Sequence, residues 1–204
     1  MKTLPILLAL TGLITTSLTS QATIYTLGTS EVDPANGYTY YLTSPGSWTD
    51  CEAFAQTLGG NLVTIRDSAE DQWVSATFTT LATDLTGQSD PQLWIGFYDP
   101  VLNDGSGTQH AADFVWADGE PVTYTDWAPG EPSNSGNVEY YAQLRNPADG
   151  APIASWNDVA NSGETKASES FGVVEVVPEP QAYAFLFVCT VLFIAFRRKQ
   201  LVTE

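Results

Sequence analysis

The chain has 204 residues, 43% of them hydrophobic and 12% aromatic, a folding composition with room for one ordinary domain and short terminal segments. Seven Lys and Arg stand against 24 Asp and Glu, and between residues 23 and 177 only Arg66, Arg145 and Lys166 are basic. A field of that sign repels phosphate backbones, which argues against nucleic acid as a partner, and it attracts divalent cations. The two cysteines, Cys51 and Cys189, fall in segments of different character, so no disulfide framework is implied.

Residues 1–22 begin with Lys2, continue through an apolar stretch and close on Ser20-Gln21-Ala22, the pattern of a secretory signal peptide. Residues 23–36 are polar and read as a leading strand or loose arm. Tyr38-Thr39-Tyr40-Tyr41-Leu42 is aromatic and β-branched, hence a strand, and Ser44-Pro45-Gly46 ends it. Ser47 is a good helix N-cap, and Cys51, Phe54, Ala55 and Leu58 then fall on one helical face until Gly59-Gly60. Cys51 should therefore point inward as a small hydrophobe.

Asn61 to Ile65 reads as a short strand. Asp67 and Glu70 box the start of a second helix whose inner face carries Trp73, Val74, Thr77, Phe78 and Leu81. Leu93-Trp94-Ile95-Gly96-Phe97 reads as a buried strand. From Asp99 to Asp158 the chain is dominated by Gly, Pro, Asn, Asp and Trp, and long ordered loops of that kind usually carry function. Phe171 to Val176 reads as a last strand that pairs with the first if the domain closes on itself. His110, the only histidine, lies in a Gly-rich loop with no nucleophile placed beside it, and no enzyme is visible.

Six stretches stand in a recognisable order: Trp48-Thr49-Asp50-Cys51-Glu52-Ala53-Phe54-Ala55, Leu58-Gly59-Gly60-Asn61-Leu62, Trp94-Ile95-Gly96-Phe97, Phe114-Val115-Trp116-Ala117-Asp118-Gly119, Tyr124 through Pro132, and Trp156-Asn157-Asp158. Over residues 37–177 this order resembles the C-type lectin-like domain. The resemblance implies an α+β fold, with two helices packed on small antiparallel sheets and a long calcium-binding loop. It also implies a primary Ca2+ site at Glu131, Ser133, Glu139, Asn157 and Asp158, with a cis bond before Pro132. Calcium takes six to eight oxygens, and this set offers three carboxylates, an amide and a hydroxyl.

Within the family, Glu131, Ser133, Glu139 and Asn157 would also meet two adjacent sugar hydroxyls. Glu in the first place of the Glu131-Pro132-Ser133 triplet resembles the mannose, fucose and glucose class, but Ser133 stands where that class has Asn. The family's half-cystine positions are Ala55, Tyr141, Asn161 and Val174 here, so both disulfides are absent. Its auxiliary calcium positions are Asp99, Asn103, Asn134 and Tyr140, which have lost most of their charge, so that site is expected to be empty or weak.

The C-terminal residues 178–204 start with Pro178-Glu179-Pro180, continue with fifteen uncharged residues (182–196) and close on Arg197-Arg198-Lys199. As a helix those fifteen span about 22 Å, short of the ~30 Å hydrocarbon core, although snorkelling arginines make up part of the difference. The order resembles the PEP-CTERM sorting tail of Gram-negative bacteria that make exopolysaccharide. It implies transient anchoring in the inner membrane, processing by an exosortase-type protease, and export to the cell surface or extracellular matrix. The reading that results is an exported lectin that binds a saccharide or exopolysaccharide through one calcium ion. The alternative is a calcium-independent protein-binding or structural matrix module on the same scaffold.

Overall fold

The computed structural model describes residues 23–101, 111–145, 155–163 and 170–178. The expected leader, the sorting tail, His110, Asn103 and Cys189 lie outside these residues. Among the described residues no helix is long and apolar enough to cross a membrane.

Among the described residues eight strands and two α-helices build the domain: β1 (Thr26–Val32), β2 (Thr39–Pro45), α1 (Trp48–Thr57), β3 (Asn61–Leu62), α2 (Ser68–Thr86), β4 (Gln92–Tyr98), β5 (Val115–Trp116), β6 (Tyr141–Leu144), β7 (Trp156–Val159) and β8 (Ser170–Val176). The polar segment before Asp33 is β1, paired antiparallel with β2. The α+β class with two helices is as expected, but the strands are not separate antiparallel sheets. They form one connected sheet in the order β1-β2-β8-β4-β6-β7, with β3 on β8 and β5 on β4. The last strand does pair with β2, and it runs parallel to β4, through Leu93–Phe171 and Trp94–Gly172. The connection from β4 to β8 passes through β6 and β7, which is long enough for a parallel return.

α1 begins where the sequence places it. Ser47 Oγ accepts the Asp50 amide at 3.2 Å. Asn161, from the segment after β7, satisfies two more first-turn donors, its carbonyl accepting Trp48 N at 3.1 Å and its Oδ1 accepting Thr49 N at 3.0 Å. Cys51 and Ala55 are buried, whereas Phe54 and Leu58 are only half-buried. The Cys51 thiol is pushed up to about 11, first by burial, which leaves it an inert core group. Two indoles fasten the start of α1 to β4: Trp48 Nε1 donates to Ile95 O at 2.8 Å and Trp94 Nε1 donates to Gly46 O at 2.9 Å.

α2 is capped by Asp67, whose Oδ1 accepts Ala69 N and Glu70 N at 2.8 and 3.0 Å, and it ends on Gly87 at φ 74°. Glu70 does not close the expected box onto Asp67; it turns inward, where Oε2 accepts Arg66 N at 2.8 Å and Oε1 accepts the Tyr40 hydroxyl at 2.9 Å. Arg66 is the ionic hub of this end. Its guanidinium reaches Glu70 at 3.1 Å, Glu120 at 2.9 Å, Glu175 at 2.9 Å and Asp118 at 4.0 Å.

Gly96 has no substitute: an added Cβ would run into the Leu62 carbonyl, and Gly96 N donates to Val63 O at 2.8 Å. That close approach seats the chain after β3 on β4. The main core joins α2 to the sheet through Tyr40, Leu42, Val74, Phe78, Leu93, Ile95 and Val173. Towards β7 it becomes aromatic, with Phe97 4.4 Å from Trp116 and 5.5 Å from Trp156 between ring centroids.

At the half-cystine positions, contacts replace covalent links. Tyr141 lies 4.8 Å from the Trp48 ring, and Asn161 Nδ2 donates to Thr49 Oγ1 at 3.0 Å. Asn161→Ala strips a capping acceptor from α1 and should lower stability by about 1 kcal/mol; thermal melting that leaves the midpoint unmoved would contradict this role.

Candidate functional site

The five expected residues arrive on two pieces of chain. Asn157 and Asp158 lie on β7, fixed by antiparallel pairing with β6, where Asp158 faces Ala142 and Asn157 faces Gln143. Glu131, Ser133 and Glu139 lie on the segment entering β6. That segment is tied to β7 just upstream: Trp156 N donates to Asp126 O at 2.7 Å and Ala128 N donates to Trp156 O at 2.9 Å. The Glu131–Pro132 peptide is cis, as expected.

Asp158 is fully buried. Its Oδ1 accepts the Ser133 amide at 2.8 Å and its Oδ2 accepts the Asn134 amide at 2.7 Å. Glu139 Oε2 accepts Ser135 N at 2.6 Å and, at a long 3.4 Å, the Ser133 hydroxyl. Asn134, in the left-handed region at φ 45°, accepts Glu139 N on its Oδ1 at 3.1 Å. The loop from 131 to 139 thus wraps its amides around two carboxylates.

Burial pushes the Asp158 carboxyl up to about 6; the Glu131 carboxyl and the Glu139 charge add to the rise, while the Ser133 and Asn134 amides oppose it. Glu131 Oε2 is buried and accepts no hydrogen bond among the described residues. Asn157 is buried beside Asp158 on the same strand. Of the expected residues the fold thus sets Glu131, Ser133 and Glu139 about Asp158, and Asn157 next to it along β7.

Among the described residues no three His, Cys, Asp or Glu side chains close in tightly enough to hold a metal ion by themselves. The donor chemistry nevertheless suits a hard cation: a buried Asp158 carboxylate whose proton affinity Glu131 and Glu139 raise, one buried Glu131 oxygen with nothing to accept, and amide and hydroxyl groups alongside. The auxiliary positions serve the loops instead. Asp99 Oδ1 accepts Val101 N at 2.8 Å, and the Tyr140 hydroxyl donates to Asn137 O at 2.8 Å.

The sequence reading missed Asp71 on α2. It is 1% exposed, and its Oδ1 accepts the Trp156 indole Nε1–H at 3.2 Å while its Oδ2 accepts the Tyr124 hydroxyl at 3.1 Å. The signal was present: Asp71 precedes Val74 and Phe78 by three and seven positions, so it is an acid on the apolar face of its helix.

These features define a binding domain of the C-type lectin class. The chain belongs to that family: the family model of the lectin C-type domain matches residues 44–166. The chain is similar to an alpha-N-acetylgalactosamine-specific lectin of Patiria pectinifera, 35% identical over 112 residues, covering 55% of this chain and 58% of the relative. It is also similar to a C-type lectin mannose-binding isoform of Notechis scutatus scutatus, 32% identical over 114 residues, covering 54% and 64%. The chain thus spans between a half and two thirds of the length of these curated relatives. Among solved structures, the C-type lectin CEL-I from Cucumaria echinata superposes with a TM-score of 0.54 at 28% identity, over 74% of this chain and 96% of that one. These relatives are binding proteins, in keeping with the absence of any catalytic constellation in the sequence.

Asp71 makes the site's support sensitive to pH. Burial foremost, with Asp126 and Glu70 adding, pushes its carboxyl up to about 7, against the two hydrogen bonds it accepts. A raised carboxyl favours the folded state below the unfolded pKa, and that contribution is lost as pH rises through about 7. Asp71→Asn removes the titration. The variant should gain on the parent by about 1 kcal/mol per pH unit as pH rises from 5 to 7, read from denaturant curves. A difference constant with pH would count against this assignment.

Proposed function

We propose that the domain binds a saccharide through one calcium ion held by Glu131, Ser133, Glu139, Asn157 and Asp158. The observation that carries this reading is that Glu131 and Glu139 both raise the proton affinity of buried Asp158, with Glu131 Oε2 left without a donor. Bound there, calcium would supply countercharge and open positions for two adjacent sugar hydroxyls. Glu131 and Glu139 accept hydrogen bonds from those hydroxyls, and Asn157 and Ser133 donate. The two relatives are an N-acetylgalactosamine-specific lectin and a mannose-binding one, so the choice of mannose-type sugars rests on Glu131 in the first triplet position.

One observation favours the alternative, a protein-binding or matrix module that needs no calcium. The Asp158 oxygens and Glu139 Oε2 accept loop amides, so part of their demand for donors is met by the protein itself. Calcium discriminates the two. On the lectin reading, millimolar calcium raises the melting temperature and a chelator reverses the gain. The gain shrinks as pH falls through about 6, because the cation takes only the ionised Asp158. A calcium response that is absent, or constant down to pH 4, decides for the module.

Ser133→Asn restores a second amide donor and should raise mannoside affinity several-fold, since one hydrogen bond is worth about 0.5 to 1.5 kcal/mol. Asp158→Ala should abolish calcium and sugar binding together. Isothermal titration of both variants checks this, and calcium binding that survives Asp158→Ala would show the site to be elsewhere.

The terminal segments extend the proposal to location: a domain exported across the inner membrane of a Gram-negative bacterium, anchored briefly by its tail and released by an exosortase-type enzyme. Mass spectrometry of the surface fraction should find a form lacking residues 182–204, and recovery of the intact Arg197-Arg198-Lys199 cluster on the released protein contradicts it.

A further inference from the structure

The two pieces of chain that carry the candidate site meet over Trp156. Its backbone pairs with Asp126 and Ala128 on the way to Glu131, and the next two residues along β7 are Asn157 and Asp158. The indole itself packs edge-on against Tyr124 and Trp127 of the loop, so it sits between the Glu131 loop and β7.

Beneath it lies Asp71. One carboxylate oxygen receives the Trp156 indole N–H at 3.2 Å and the other receives the Tyr124 hydroxyl at 3.1 Å. Tyr124 belongs to the segment that leads to Glu131, and its ring packs edge-on against Trp156 at 5.8 Å and 78°. A single side chain of α2 thus grips both halves of the site, the strand through Trp156 and the loop through Tyr124.

A carboxylate is a costly way to fill such a place. It is 1% exposed, Asp126 faces it from the loop, Glu70 adjoins it on the helix, and both charges act to raise its proton affinity. Leu or Met would fill the volume without that cost, but neither accepts two hydrogen bonds. An indole N–H is a donor only, so Trp156 needs an acceptor in this position, and two acceptor oxygens on one planar group fix its angle to Tyr124.

We propose that Asp71 is a positioning residue of the candidate saccharide site, holding Trp156 and Tyr124 in a fixed relation and thereby setting the distance between Glu131 on the loop and Asn157 and Asp158 on β7. The proposal rests on the calcium-lectin reading above. Asp71 touches neither metal nor sugar and acts through its two partners.

The test is isothermal titration with calcium of the full chain and four variants, Asp71→Ala, Asp71→Asn, Tyr124→Phe and Val74→Ala, well below each melting temperature. Val74 is buried on the same helix, and its aliphatic side chain makes no hydrogen bond to Trp156 or Tyr124, so its truncation lowers stability alone. Asp71→Ala and Tyr124→Phe should weaken calcium binding by roughly three- to tenfold. Asp71→Asn, which retains an acceptor for the indole and a polar group for the phenol, should return to within about twofold of the parent. Val74→Ala should bind as the parent does despite a lower melting temperature.

Parent-like binding in Asp71→Ala overturns the proposal, as does a loss in Val74→Ala as large as that in Asp71→Ala. If Asp71→Ala does not fold, Tyr124→Phe decides in the same way. A parent that takes up no calcium overturns the lectin reading and the proposal with it, whereas a parent that binds and loses binding in Asp158→Ala leaves Asp71 to be judged by its own variants.

Discussion

A carboxylate taken out of water needs donors or a cation around it, and a domain this acidic has few cations to offer. Five of its buried acids meet the requirement in different ways. Glu52 accepts the Leu62 amide and the Gln56 side chain; Glu70 and Glu175 share Arg66; Asp71 takes an indole and a phenol; Asp158 takes two loop amides. Glu52 ties neighbouring elements, whereas Glu70, Glu175, Asp71 and Asp158 tie segments far apart in sequence. Glu52 joins α1 to β3, Glu175 joins β8 to the chain before α2, Asp71 joins α2 to β7, and Asp158 joins β7 to the long loop. Buried charge thus does much of the cross-linking that disulfides would otherwise provide, alongside the aromatic stack of Trp48 on Tyr141 and the Asn161 cap.

The long loop depends on the same requirement. Its few regular elements would hold it poorly, but its amides converge on Asp158 and Glu139, and its Trp127 packs 4.8 Å from Phe114 and 5.8 Å from Phe97. Folding of the loop and assembly of the candidate donor set are therefore one event. The remaining demand, an oxygen of Glu131 with no donor, is the demand a cation or a ligand hydroxyl satisfies.

Local signals in the sequence located most elements. Ser47 and Asp67 cap helices where capping chemistry places them, Gly87 ends α2 in the left-handed region, and the apolar run around Trp94 is the buried strand. The five candidate site residues followed from motif order; the fold sets Glu131, Ser133 and Glu139 about Asp158, with Asn157 adjoining it on β7. What escaped was non-local. The parallel pairing of β4 with β8 depends on a return through two other strands, which no local periodicity encodes. Glu70 was read as a capping group because the spacing fits, yet the pull of Tyr40 and Arg66 turns it inward. Asp71 was passed over because helical patterns are counted in apolar residues, and its partners Tyr124 and Trp156 lie 53 and 85 positions away.

Arg66 gives the domain an uneven tolerance to change. Four acids surround one guanidinium, and its forked donors reach Glu120 with two nitrogens and Glu70 and Glu175 with a third. Drift at any one acid leaves the cation with other acceptors, and the loss falls on that acid's own partners, the Tyr40 hydroxyl for Glu70 and the Thr64 amide for Glu175. Drift at Arg66 strands buried Glu70 and Glu175 at once, and lysine, a point charge without a fork, does not span the set. Mutational robustness in this region is therefore redundant on the acidic side and concentrated in a single residue on the basic side.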